Sequence, residues 1–258
     1  MSINTVMLIF TFVMGISLGS FMNVCIYRLP LGKSIIWPPS SCPRCGERVK
    51  IYDNIPILSY VILMGKCRYC KEPISWQYPL VELAAGLLSL ALFIRYGLTY
   101  QYFMYLIFTL DLFIISFIDL RHKIIPDVLS LPGILVGLAA SFALLDIKWL
   151  DSIIGILVGG GTLYLIGFLY KLLTGKEGMG GGDVKLLAMI GAWMGWRALP
   201  LIVLMASASG TLAAIVFILH SGKGFRTRIP FGPFLSLGAV TYLFLGDELT
   251  RWYIGLFK

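Results

Sequence analysis

Charge is scarce in this chain. Asp, Glu, Lys and Arg supply 13% of its 258 residues, and 58% are apolar. Soluble domains carry about 25% charge, so a soluble enzyme and a disordered tail are both excluded. Histidine is limited to two residues, His122 and His220, and no Gly-x-Ser-x-Gly sequence occurs. The strand-to-helix elbow of serine hydrolases is therefore missing. The five cysteines are too few for a secreted disulfide scaffold. The sequence reads as free of internal repeats and low-complexity tracts.

What the chain has instead is long apolar runs. Eight are evident, at residues 3–26, 79–94, 101–118, 128–145, 152–170, 186–196, 198–219 and 229–245. A membrane-crossing helix needs roughly 20 such residues, which predicts an all-α polytopic membrane protein of about eight transmembrane helices. The first run lacks a small-residue cleavage site and reads as a permanent anchor. The sixth is short, and charge decides how to read it. If all eight cross with the N-terminus outside, sixteen Lys and Arg between Arg28 and Arg228 fall on the cytoplasmic side. Only Arg95, Lys148, Arg197, Arg251 and Lys258 fall outside, as the positive-inside rule requires. That bias also accounts for the net charge of +8 without nucleic acid.

The expected organisation is an anchor at residues 1–26, a small cytoplasmic domain at 27–78 and a helical bundle at 79–258. The domain holds Cys42-Pro-Arg-Cys45 and Cys67-Arg-Tyr-Cys70, two CxxC pairs separated by 21 residues. Two such turns complete a tetrahedral Cys₄ zinc site, although the spacing lies just beyond the usual zinc-ribbon range. Disulfides do not suit a reducing cytosol. A site closed by four thiolates is structural, so zinc here is expected to hold the fold. Cys25 ends an apolar helix and reads as a packing residue.

Carboxylates inside or at the edge of spans are costly and therefore candidates for function. They are Glu82, Asp111, Asp119, Asp127 and Asp183. Asp119, Asp127 and Asp183 all fall at the expected cytoplasmic membrane face. Two carboxylates brought together share a proton, so one deprotonates water while the other polarises a peptide carbonyl. Each also has a structural reading: Asp127 and Asp183 as helix N-caps, Asp119 as a partner of Arg121 or Lys123. Asp111 lies two helical turns deeper. The residues alone do not choose between Asp119 and Asp127.

Gly15 to Pro30 and the two CxxC pairs resemble the N-terminal region of bacterial prepilin peptidases, also called type IV leader peptidases. The resemblance continues through Ile74 to Glu82, Asp119 to Asp127, Gly178 to Lys185 and Arg228 to Pro233. It implies a GxGD-type aspartic protease with Asp119 and Asp183 as the catalytic pair, and Gly180 and Gly182 as the glycines of that pattern. Asn23, Arg28 and Glu82 also match family motifs, as groups that bind substrate or methyl donor or brace the domain, and Asp127 and Lys185 fall within the matching stretches as supporting residues. The family removes the basic leader of type IV prepilins and pseudopilins at the cytoplasmic face of the bacterial inner membrane. Many members then methylate the new N-terminus with S-adenosylmethionine, an activity for which the residues themselves show no Gly-x-Gly-x-x-Gly signature. The expected partners are prepilin and pseudopilin substrates and the lipid bilayer.

Two other readings stand beside this one. A proton- or cation-coupled transporter would use Asp111, Asp119 and Asp183, but the carboxylates gather at one face rather than the midplane. A non-enzymatic assembly factor would explain the cysteines and leave the aspartates idle.

Overall fold

The apolar runs fold as helices, which satisfy their own backbone groups where no water is present to do so. The computed structural model describes residues 3–143, 147–175, 180–221 and 229–255. Leu145, Gly178 and Met179 of the predicted features lie outside these residues, as do Lys176, Lys223, Arg226, Arg228 and Lys258 of the charge distribution. Among the described residues the helices are α1 (Ile3–Arg28), α2 (Leu58–Ile62), α3 (Gln77–Tyr96), α4 (Tyr100–His122), α5 (Asp127–Ala140), α6 (Trp149–Thr174), α7 (Gly181–Met194), α8 (Leu199–Ser221) and α9 (Gly232–Gly255). No strand occurs among them, only two isolated bridges.

Among the described residues five helices are long and apolar enough to cross a membrane: α1, α3, α4, α6 and α8. The protein is thus a multi-pass helical membrane protein. Three predicted runs come out differently, the eighth becoming α9 (Gly232–Gly255), which is not among these five. The fourth stops as a helix at Ala140, and the sixth begins at Gly181 and ends at Met194. Both α5 and α7 have 14 residues, about 21 Å at 1.5 Å per residue.

The chain divides into two compact units, residues 1–110 and 111–258, with the boundary inside α4. In the first unit α1 and α3 pack antiparallel. A methyl group added to Gly15 would meet Ser89 and Ala85, and one added to Gly19 would meet Glu82. Small residues at these positions let the two backbones approach closely. The Ser89 hydroxyl donates to the Thr11 carbonyl at 2.8 Å and shares a 2.7 Å hydrogen bond with the Tyr102 hydroxyl.

In the second unit α7 is the central element, with every residue from Leu186 to Trp193 buried. A helix buried on all sides shows no amphipathic stripe. The α6 and α7 backbones touch where Gly155 faces Gly191. Two side chains tie the neighbouring helices together: Ser152 Oγ donates to the Ala192 carbonyl at 2.7 Å, and Trp193 Nε1 to the Gly133 carbonyl at 2.8 Å.

Candidate active site and metal centre

Asp119 sits in the last turn of α4, after the buried residues Ile115 and Ile118. The helix ends in a left-handed turn at Lys123, with φ 56°, and Ile125-Pro126 then leads into α5. Asp119 is 5% exposed. Its Oδ2 accepts the backbone N–H of Gly232 at 3.0 Å, at the start of α9. A methyl group on Gly232 would stand 2.6 Å from the same oxygen, so no larger residue fits without displacing the carboxylate.

Asp183 is the third residue of α7, behind Gly180, Gly181 and Gly182. Its carboxylate lies close enough to Asp119 for the two to interact electrostatically. Ile125 fills the space beside both: methyl groups added to Gly182 and to Gly232 would meet it at 3.0 and 3.4 Å. Three helix ends therefore meet around one residue of the α4–α5 connection. Asp111 is directed elsewhere, with its Oδ2 near Gly133 of α5.

The structural readings of these aspartates are corrected here. The N-cap position of α5 is occupied by Pro126 and that of α7 by Gly180, so neither Asp127 nor Asp183 is the cap. Asp127 is exposed and pairs with Lys185 of α7 at 2.6 Å. Among the described residues no ion pair joins Asp119 to Arg121 or Lys123. Gly232 is the contact that sequence reasoning missed as a site residue. The run Ile229-Pro-Phe-Gly-Pro233 signals a turn there, but nothing local says what that turn touches.

In the first unit the four cysteines converge. Their Sγ atoms all lie within 4.8 Å of one another, and those of Cys42 and Cys70 are 3.8 Å apart. A tetrahedron with Zn–S bonds of about 2.3 Å has edges of about 3.8 Å, so the sulfurs are spaced to hold a metal ion. The two CxxC turns repeat one another. The Cys42 N–H donates to the Glu47 carbonyl and the Gly46 N–H back to Cys42, both at 2.9 Å. Likewise the Cys67 N–H donates to Glu72 at 2.8 Å and the Lys71 N–H to Cys67 at 3.1 Å. The expectation of no internal repeat is thus corrected: Cys-x-x-Cys-x-Glu occurs twice, and each copy folds into the same knuckle. Gly46 and Lys71 occupy the same left-handed position, with φ 72° and 59°.

The surrounding charges favour this arrangement. Arg44 of one knuckle pairs with Glu72 of the other at 3.1 Å. Arg68 grips Asp53 through two nitrogens and holds its carboxyl below the usual range. Hydrogen bonds within the first knuckle, led by the backbone of Cys45, bring the Cys42 thiol down to about 7. The Glu72 N–H also favours the Cys70 thiolate, but desolvation and the other sulfurs push Cys70 up to about 11.

The remaining candidates brace the lobe against its helices. Asn23 Nδ2 donates to the Tyr78 carbonyl at 3.1 Å. Arg28 donates to the carbonyls of Ser34 and Pro38 at 3.0 and 2.7 Å. Glu82, 6% exposed, accepts the Ile57 N–H at 2.7 Å. Cys25 is buried, as its packing reading requires.

Comparison with known proteins fits this division. Residues 13–96 match the family model described as the bacterial peptidase A24 N-terminal domain, and residues 106–215 that of the type IV leader peptidase family. Among similar proteins, the prepilin leader peptidase/N-methyltransferase of Pseudomonas aeruginosa is 40% identical, covering 95% of this chain and 92% of its own. Those of Stutzerimonas stutzeri and Aeromonas hydrophila, with the same name, are 39% and 38% identical, each covering 94% of this chain and 92% of their own. No solved structure matches the chain. With that identity sustained over nearly its full length, the chain belongs to the type IV leader peptidase family.

Proposed function

We propose that the protein is a bifunctional prepilin leader peptidase and N-methyltransferase that cleaves prepilin leader peptides and methylates the exposed N-terminus. The observation that carries the peptidase chemistry is the buried Asp119, held by the Gly232 N–H beside Asp183. Asp119 and Asp183 form the catalytic pair, set in the bundle at 79–258. At close range the pair keeps one proton between them. The ionised carboxylate takes a proton from water, and the resulting hydroxide attacks the scissile carbonyl, whose oxygen the protonated carboxylate polarises. Collapse of the tetrahedral intermediate delivers a proton to the leaving amine. Gly180 and Gly182 let the segment before Asp183 move to admit an extended peptide, and the Asp127–Lys185 pair ties α5 to the start of α7.

Cys42, Cys45, Cys67 and Cys70 hold a structural zinc ion in the domain at 27–78, the spacing of their sulfurs being the support. The methyl donor is S-adenosylmethionine, by the relatives' activity. A strand–loop–helix cradle for it is not found among the described residues, which contain no strand, and no step above depends on it. Asn23, Arg28 and Glu82 brace the domain, as their hydrogen bonds indicate. The charge bias favours eight crossings of the inner membrane, an N-terminus outside and the active site at the cytoplasmic face. The substrates are prepilins and pseudopilins of pilus or type II secretion systems. The relatives lend no support to a transporter.

The test is an assay of wild type, Asp119→Asn and Asp183→Asn on a membrane-inserted prepilin, with mass spectrometry of the mature N-terminus. Cleavage by wild type alone, with one added methyl group on its product, is the expected result. Full cleavage by both variants would remove the catalytic assignment.

A further inference from the structure

The stretch between Asp53 and Lys66 contains no charged residue, yet it lies in the part of the chain that reads as water-facing. Its depth is fixed by the α1–α3 pair. Gly19 of α1 abuts Glu82 of α3, and Gly19 lies nine residues, about 14 Å, before the cytoplasmic end of α1 at Arg28. α1 has 26 residues, about 39 Å, against about 30 Å of hydrocarbon. Even if the whole surplus emerged on the cytoplasmic side, the level of Glu82 would still lie about 5 Å inside the hydrocarbon. From that level the Glu82 side chain, which leans toward the N-terminal end of α3, accepts the Ile57 N–H at 2.7 Å through Oε2.

The neighbouring contacts agree. A cavity of about 330 Å³ is bounded by Ser17, Ser20, Phe21 and Val24 of α1 and by Asn54 and Pro56. The chain therefore runs beside α1 well inside its end. Irregular backbone at such depth is tolerated only where it packs on protein or lines a cavity, and here it lies against α1 and the Glu82 side chain, with most of its remaining N–H groups bonded to carbonyls within the segment. Besides Ile57, the Ile55 N–H donates to Ser59 Oγ at 3.0 Å, and Ser59 Oγ donates to the Tyr52 carbonyl at 3.0 Å. The outward side chains are apolar: Leu58, Val61, Ile62 and Met64 are 52%, 65%, 63% and 84% exposed. Apolar side chains that face outward beside membrane helices are suited to meet acyl chains.

We propose that residues 54–65 form a re-entrant segment whose Leu58, Val61, Ile62 and Met64 rest in the acyl chains of the cytoplasmic leaflet, with Glu82 as the positioning residue for its turn. The metal-binding lobe is then fastened to the bilayer by this segment as well as by α1 and α3.

The test uses the full-length protein in nanodiscs of phosphatidylethanolamine and phosphatidylglycerol, with a photoreactive benzoylphenylalanine at Val61, Ile62 or Met64, and at the exposed Arg44 for comparison. Lipid adducts at the first three positions and their loss at Arg44 are expected. Crosslinks to a second copy, or no lipid adduct at any of the three, would overturn the proposal. In Glu82→Ala the adducts at Ile62 should be lost, and in Glu82→Gln, which keeps an acceptor for the Ile57 N–H, they should return. Unchanged adducts in Glu82→Ala would remove the role assigned to Glu82.

Discussion

The N–H of Gly232 and the Oδ2 of Asp119 are 3.0 Å apart, although the residues are 113 positions apart in sequence. The contact fixes one carboxylate oxygen of the proposed catalytic pair. It also explains why a glycine stands there. In Gly232→Ala the methyl group would push Asp119 from its place, and displacements of about 1 Å cost catalysis on the order of 100-fold. Leader cleavage should fall by about that factor, while methylation of a pre-cleaved pilin stays near wild type. Wild-type cleavage rates in the variant would contradict this role.

Asp127 lies near Asp119 in sequence but is exposed and paired with Lys185. Exposed ion pairs contribute about 0–1 kcal/mol. Asp127→Asn should therefore lower the melting temperature slightly and keep most of the cleavage that Asp119→Asn loses. If the two variants lost activity equally, the choice of Asp119 would fail.

Lys71 adopts the left-handed backbone that Gly46 occupies in the other knuckle. A non-glycine residue there costs roughly 1–2 kcal/mol, so Lys71→Gly should make the lobe more stable by about 1 kcal/mol. Titration with a chelator, followed by released zinc, would read this as slower or later loss of metal. Replacing all four cysteines by Ser should abolish zinc binding, and a retained stoichiometry would contradict the site.

Gly155 and Gly191 bring the α6 and α7 backbones into contact. Gly155→Ile forces the two apart, and overpacking of this kind costs about 1–3 kcal/mol. Because α7 carries Asp183, thermal stability in detergent and cleavage should fall together. An unchanged melting temperature would argue against so close a crossing.

The helices were legible in the sequence because apolar runs of bilayer length leave the backbone few other choices. Their ends were less so. Gly181 and Gly182 read as a turn ahead of a cap at Asp183, yet they begin α7, since a glycine run does not forbid a helix whose later residues are buried on every side. The knuckle repeat escaped notice because Lys71 in one copy replaces Gly46 in the other, and only the cysteines and a glutamate are shared. The Gly232–Asp119 contact depends on α9 packing in the second unit, which no local pattern encodes. The backbone partners of Asn23, Arg28 and Glu82 were likewise not legible, because a polar residue near an interface suits a ligand as well as a backbone carbonyl or amide.

Peptide hydrolysis consumes water, and the interior of a bilayer has almost none. α7 is about 21 Å long, roughly 9 Å less than the hydrocarbon thickness of a bilayer. Its C-terminal end is apolar through Met194, whereas its N-terminal end carries glycines, Asp183 and the Lys185–Asp127 pair. On the proposed topology the shortfall falls at that polar end and gives water a short way to the proposed catalytic pair.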